Sequence, residues 1–276
     1  IARSKHYQKI QRDGLDLKIW NNNKLIKSTK IKKSRKIIFL DNLDKIDSKL
    51  NIDIIFITLK LHQINKSITQ NLKKLITDNT AVVPPCTNIP FWFTKCFNKN
   101  YNFINDNLNF IDCKNIIGMT IWLSAVMIKP GFVKINHTQR GYPLKELDPK
   151  MKNRANILRN YLKGKSKSPI VRNIRSEIYN KAINALAFNL VALITKKNNN
   201  EIKKDKKAIF TIEKILNEGD KIMNSIKIPV FQTPKSRIKQ TLSSTAHTMS
   251  MLNDFNKGKQ IELDNLWKSF DAFCKI

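Results

Sequence analysis

Up to about residue 165 the chain alternates short apolar runs with amphipathic stretches; beyond it the pattern becomes helical. Leu15–Trp20 and Lys24–Lys27 flank Asn21-Asn22-Asn23 and read as a β-hairpin. Ile54–Leu59 is a continuous, mostly β-branched run, the pattern of a strand buried on both faces. His62–Thr77 carries Ile64, Ile68, Leu72, Leu75 and Ile76 at helical spacing, and Ala81-Val82-Val83 reads as a second short buried strand. Strand, helix, strand in that order predicts a parallel α/β sheet. Ile117–Met127 and Gly131–Ile135 read as further strands joined by a Lys129-Pro130-Gly131 turn.

The small, charged stretch Lys163–Pro169 suits a domain boundary, which predicts an α/β domain over 1–170 and an all-helical domain over 171–276. Helices are expected over Ile174–Thr195, Ala208–Ile228 and Ser236–Phe255, the last stopped near Gly258, with a fourth opening at Ile261. Lys196–Lys207 is a low-complexity Lys/Asn run and reads as a solvated segment.

Composition narrows the classes. The longest charge-free apolar run, Ile116–Ile128, is shorter than the ~20 residues a bilayer span needs. Ile1–Lys5 has neither the basic start nor the apolar core of a secretory signal; the cytoplasmic location expected here rests instead on the cysteines, read as reduced thiols. Cys86, Cys96, Cys113 and Cys274 form no C-x-x-C pair or metal-spaced Cys/His cluster; they are expected as reduced thiols, with no metal site. The net charge of +30 would ordinarily point to nucleic acid. Its carriers, however, are mostly Lys spread along the whole chain, alongside an excess of Asn and Ile, the composition that AT-rich codons give without selection for binding. Nucleic acid is therefore not the expected partner, although a basic surface still attracts anionic cofactors and substrates.

Several landmarks, in shared order and spacing, resemble the ketopantoate reductase (2-dehydropantoate 2-reductase) family over almost the whole chain. Ile1-Ala2-Arg3-Ser4 followed by Gln11-Arg12-Asp13-Gly14-Leu15 resembles the end of the second Rossmann strand and the segment after it. Lys60-Leu61-His62-Gln63 resembles the family's strand-end K-x-x-Q, and Ala81–Trp92 its V-V-P-x-Q-N-G-I-P-W-W segment. Ile174–Thr195 resembles the helix that carries its catalytic lysine, and Ser250-Met251-Leu252-Asn253-Asp254 with Glu262-Leu263-Asp264 its S-M-L-Q-D … E-I-D. The resemblance implies a Rossmann-type first domain and a helical second domain. It implies NADPH-dependent reduction of ketopantoate to pantoate, on the route to pantothenate and coenzyme A, by a monomer or homodimer acting on a small 2-oxo acid. The family's opening G-x-G-x-x-G, which cradles the cofactor pyrophosphate, does not occur here. The first βαβ unit is thus expected to be missing and the chain to be cut short at both ends.

By the same resemblance Lys181 is the catalytic residue: it would polarise the substrate carbonyl and deliver the proton. A partly buried lysine with a lowered pKa makes an effective acid. Residues at i, i+4 and i+8 share a helix face. Where the family has Lys, Asn and Asn, this face has Lys181, Ala185 and Asn189. Asn189 either hydrogen-bonds substrate or bridges helices. Asn184 could replace the missing amide of Ala185 only by a rotation of about 100° around the helix. Ser250 is implied at the substrate carboxylate. Glu262, Lys60, Gln63 and Thr87 are implied at the cofactor, with Arg3 at its 2′-phosphate. Thr87-Asn88 stands where the family has Asn-Gly, and Thr offers one hydrogen bond where the amide offers two ends. The alternatives are a related reductase of another 2-oxo acid, or a degenerate member that keeps the fold without catalysis.

Overall fold

The computed structural model describes residues 1–21, 24–60, 63–84, 88–95, 107–122, 124–136, 141–151, 153–162, 168–243 and 248–274. The chain divides into two compact units. The first comprises residues 1–57, 64–84 and 110–171; the second comprises 58–63, 85–109 and 172–276.

The first unit is α/β. Helix α1 (Ser4–Asp13) leads through Gly14, at φ +83°, into the hairpin β1 (Leu15–Asn21) and β2 (Lys24–Ile31), paired antiparallel as expected. The β3 (Ile54–Phe56), α2 (Lys66–Leu75), β4 (Ala81–Val83) run gives the expected parallel pair, Ile54 opposite Ala81 and Phe56 opposite Val83. Helix α2 is capped by Asn65, whose side-chain oxygen accepts from the Ile68 N–H at 3.0 Å. One expectation is corrected. β4 is fully buried, but Ile54 and Ile55 are half-buried and Phe56 is 42% exposed, because among the described residues β3 pairs with β4 alone.

The apolar stretch from Ile117 is also not one strand. β5 (Ile117–Met119) pairs antiparallel with β8 (Leu144–Glu146), whereas β6 (Ser124–Lys129) and β7 (Phe132–Asn136) join the hairpin in a sheet of order β2-β1-β7-β6. The break falls at Thr120–Trp122, where the Thr120 and Trp122 N–H groups bond instead to the carbonyls of Pro143 and Gly141. The core of this unit is Ala81, Val83, Ile117, Met119 and Leu144, closed by Ala155 and Leu158 of α4 (Arg154–Tyr161). Asn115, 3% exposed, braces the turn before β4 by donating to the carbonyls of Thr77 and Thr80, each at 2.8 Å. Cys113 stands in a disulfide, which corrects the expectation of four reduced thiols, and Cys274 is free and exposed. Cys86 and Cys96 lie outside the described residues.

The second unit is helical in its long C-terminal run. It holds α3 (Trp92–Lys95), α5 (Ile174–Thr195), α6 (Asn199–Lys204), α7 (Lys206–Ser225), α8 (Pro234–Thr241), α9 (Ser250–Asn256) and α10 (Leu263–Cys274). Helix α5 has the expected limits: Asn173 caps it through the N–H groups of Arg175 and Ser176, and Lys196 ends it in the left-handed region. By length and composition α5 could cross a membrane, yet 61% of its apolar window is buried inside the protein, so it serves as a core helix.

Two helical expectations are corrected. The Lys/Asn run contains α6, because Asn198 and Glu201 form a capping box and Ile202 is fully buried. Low complexity masked an N-x-x-E cap. The helix expected over Ser236–Phe255 is two, α8 ending at Thr241 and α9 beginning at Ser250. Ser243 turns back to the Gln240 carbonyl, the local competition that Ser and Thr side chains offer a helix.

Helix α5 packs on α7 across Gly219. A Cβ there would lie 2.6 Å from Ile183 Cδ1 and 2.7 Å from Tyr179 Oη. The Tyr179 hydroxyl donates to the Gly219 carbonyl at 2.5 Å, and burial pushes its ionisation well above the ordinary tyrosine range. Beside it, Arg237 of α8 forms a buried ion pair with Asp220 of α7, and burial still holds the Asp220 carboxyl above its ordinary value. Gly219→Ala should lower unfolding free energy by ~1–3 kcal/mol, the cost of overpacking, even though alanine has the higher helix propensity. Urea unfolding reads this; unchanged stability would mean that the α5–α7 approach is looser than described.

Candidate functional site

The second unit holds every implied site residue except Arg3. Its centre is an ion cluster assembled from distant parts of the chain. The Lys60 ammonium lies 3.3 Å from Asp254 Oδ2 and 3.7 Å from Glu262 Oε2. The side chains of Asp254 and Glu262 are 25% and 19% exposed, so one cation faces two partly buried carboxylates. Each position has a local cause. Asp254 lies within α9. Glu262 precedes α10, with its carbonyl accepting from the Leu266 N–H. Lys60 sits in a tight turn that Gln63 closes twice: its N–H donates to the Lys60 carbonyl at 2.9 Å, and its side-chain oxygen accepts from the Lys60 N–H at 3.1 Å. The exposed Gln63 therefore shapes the turn that presents Lys60.

Lys181 is half-buried on α5. Tyr179, two residues earlier and so on the opposite side of the helix, is fully buried against α7 and meets Phe270 of α10 edge-on at 5.9 Å. That contact ties the helix of Lys181 to the helix that begins just after Glu262. Asn184 is half-buried, and its side-chain oxygen is shielded with no hydrogen-bond partner. Asn189, 6% exposed, uses both ends of its amide within the unit. Nδ2 donates to the Ala185 carbonyl at 2.7 Å, and Oδ1 accepts from the Met251 N–H at 3.2 Å. Of the two roles open to it, the structure shows the helix bridge, joining α5 to the first turn of α9. Lys196 closes the same junction with its ammonium 3.6 Å from the centroid of the Phe255 ring. Ser250, the first residue of α9, is exposed and makes no cap.

Thr87 lies outside the described residues. Asn88, its neighbour, is 5% exposed, and its side-chain nitrogen has no partner. The chain beyond it is anchored by Ile89, Phe91, Trp92 and Phe93, none more than 1% exposed, and by Arg175, whose Nε donates to the Phe93 carbonyl at 2.9 Å. Burial lowers the Arg175 guanidinium to about 10. Arg3, in the first unit, stands at the N-cap of α1 with extended backbone and is exposed at the surface. Sequence reasoning passed over Asp254, the nearer partner of Lys60; the signal was its place in the Ser250–Asp254 segment, four residues after Ser250. Among the described residues no group of His, Cys, Asp and Glu could hold a metal.

Two family profiles match the chain: "Ketopantoate reductase PanE/ApbA" over residues 1–85 and "Ketopantoate reductase PanE/ApbA C terminal" over residues 173–270, together more than half of it. The 2-dehydropantoate 2-reductase of Mesorhizobium japonicum is 24% identical over 225 residues, 78% of this chain and 68% of that protein. Among solved structures, a D-mandelate dehydrogenase with NADH and anilino(oxo)acetate superimposes with TM-score 0.76 at 21% identity, over 98% of this chain and 81% of that one. The 2-dehydropantoate 2-reductase of Geobacter metallireducens does so with TM-score 0.76 at 15% identity, over 99% and 84%. At such identities the structural likeness establishes the fold.

Asn189→Ala should cost ~1–3 kcal/mol of stability, because it leaves a buried Met251 N–H without its acceptor. Asn189→Asp should recover part of that loss, since a carboxylate still accepts. Thermal unfolding of the two variants checks both; equal losses would show that the bridge to Met251 is not what Asn189 contributes.

Proposed function

The chain belongs to the ketopantoate reductase family, and from that premise we propose that it reduces a 2-oxo acid to the 2-hydroxy acid with a nicotinamide cofactor, ketopantoate being the substrate and NADPH the cofactor. The observation that carries the reading is the ion cluster: Lys60 meets Asp254, 194 residues away in sequence, and Glu262, in the same compact unit that carries Lys181.

The residues fit the nicotinamide-ribose end of such a cofactor. Lys60 offers donors and Glu262 acceptors suited to ribose hydroxyls, and Gln63 fixes the backbone that presents Lys60. The orphaned Asn88 Nδ2 suits an acceptor such as a carboxamide or 2-oxo acid oxygen, and the orphaned Asn184 Oδ1 suits a donor such as a carboxamide NH2, which would relieve the cost of leaving them buried and unpaired. Arg3, at the cap of α1, suits a 2′-phosphate. No G-x-G-x-x-G occurs in the 276 residues, so the pyrophosphate is assigned no partner.

The bound cofactor supplies a hydride to the ketone carbon. Everything else falls to the protein. Lys181 approaches the carbonyl oxygen with its ammonium, stabilises the charge that grows there and gives up one proton, leaving the hydroxy acid and a neutral amine that solvent reprotonates. Its half-buried position serves both needs. Glu262 and Asp254 hold Lys60 in place, and Ser250 hydrogen-bonds the substrate carboxylate. Asn189 keeps the α5–α9 junction, and so Lys181 and Ser250, in fixed register. Thr87 takes the family's Asn position with a single hydroxyl.

A reductase of a different 2-oxo acid is the second reading. Ala185 in place of Asn supports it, since it removes one polar group from the Lys181 face, and so does the likeness to a D-mandelate dehydrogenase.

NADPH and NADH oxidation with ketopantoate and with phenylglyoxylate separates the two readings; no turnover with either acid would sink both. Lys181→Ala should lower kcat by ~10²–10⁴, the usual worth of a positioned general acid, while cofactor affinity by fluorescence stays within about twofold. Arg3→Ala should weaken NADPH and leave NADH unchanged. Equal losses for the two cofactors would remove the 2′-phosphate from its role.

A further inference from the structure

Folding concentrates charge where the sequence spreads it. In the first unit, the end of α1, the start of β1, the end of β2 and the β6–β7 turn enclose a cleft of about 520 Å³. Six of its thirteen lining residues are Lys or Arg, against 51 in 276 for the whole chain, so composition alone does not account for it. The six face two carboxylates, Asp13 and Asp16. Asp13 is already committed: Lys9 lies 2.7 Å from it and Arg12 3.1 Å, and these contacts hold its carboxyl down at about 2. That leaves Lys30, Lys32, Lys33 and Lys129, all exposed, with Asp16 as the one remaining acid on the cleft wall.

The walls are fixed by backbone. The Asp16 N–H donates to the Gly131 carbonyl at 2.8 Å, and the Gly131 N–H donates to His6 Nδ1 at 3.0 Å. Gly14 and Gly131 both have positive φ, and a Cβ on either would lie 2.7 Å from Ile31 O or Lys9 Cγ respectively. Strand register sets Lys30 and Phe132 on either side of Asp16. Four lysines are thus gathered around a preformed concavity of small-molecule size.

We propose that this cleft is a binding site for a small, multiply charged phosphate compound, such as a polyphosphate chain or the triphosphate of a nucleotide. Lysine binds phosphate as a point charge from several directions, which suits a ligand carrying several phosphates. A single phosphate or carboxylate would neutralise too little of the surplus to stay. The site is in the first unit and shares no residue with the cluster around Lys60 or with Arg3.

The competing explanation is that these lysines merely guard an exposed edge strand, since β2 is at the edge of its sheet. Lys24 and Lys27 guard the other end of β2 and line no part of the cleft, which gives a charge-matched control. The experiment is calorimetric titration of the full chain with inorganic tripolyphosphate, ATP and orthophosphate at constant ionic strength. Tripolyphosphate should bind with one-site stoichiometry, and orthophosphate at least about tenfold more weakly, a difference worth about 1.4 kcal/mol. ATP binding as tightly as tripolyphosphate would assign recognition to the phosphate chain; ATP binding tighter would add a base contact. Lys32→Glu with Lys33→Glu should weaken tripolyphosphate by at least about tenfold, while Lys24→Glu with Lys27→Glu should change it less than about twofold. Equal losses in the two double variants, or no discrimination against orthophosphate, would overturn the site and leave only a basic surface.

Discussion

The close approach of α5 and α7 at Gly219 is the constraint on which the helical unit depends. With no side chain at 219, Ile183 and Tyr179 lie directly on the α7 backbone, and the Tyr179 hydroxyl donates into it. Because Tyr179 is locked on that side, Lys181 emerges on the other. Phe270 packs against the same tyrosine ring, so α10, and with it Glu262, takes its position from the same contact. The buried Arg237–Asp220 pair sits one residue beyond Gly219 and fastens α8 to α7. A buried pair of this kind adds little net stability. Its worth is directional: each partner buried without the other would be costly, so alternative packings of α8 are disfavoured.

A second set of polar contacts works at the other end of α5. Asn189 joins α5 to the start of α9, and Lys196 lies over Phe255. Helix α5 is therefore pinned twice: to α7 and α10 near Lys181, and to α9 near its C-terminus. The hydrogen bonds in both pins, from Tyr179 and from Asn189, use groups inside the core, where such bonds are strong and unmet ones expensive. Asn88 and Asn184 are among the residues left with unmet buried polar atoms, and for these two the family's chemistry offers a reason to tolerate them.

The basic character of the chain has more than one meaning. Along most of the sequence the lysines are solvated and carry little structural information. A minority are placed: Lys60 between two carboxylates, Lys196 over an aromatic ring, and the group that lines the cleft beside Gly14 and Gly131. Placement, not number, separates these from the rest.

The sequence by itself determined the secondary structure wherever one period ran unbroken. The β1–β2 hairpin, the β3-α2-β4 run and the limits of α5 follow from alternation, helical spacing and caps, which act within a few residues. Lys60, Lys181 and Glu262 were singled out by the family resemblance, and the fold brings two of them, Lys60 and Glu262, together. Where composition overrode local signals, reading failed: a capping box hid α6 in a Lys/Asn run, and one apolar stretch concealed β5 and β6, which belong to different sheets. Only the tertiary structure decided that β5 pairs with β8 and β7 with β1, that Asn189 spends its amide on Met251, that Asp254 stands nearest Lys60, and that scattered lysines converge on one cleft. Each of these depends on contacts between residues tens to hundreds of positions apart. Burial and electrostatics at that range are set by packing, and neither period nor composition encodes them.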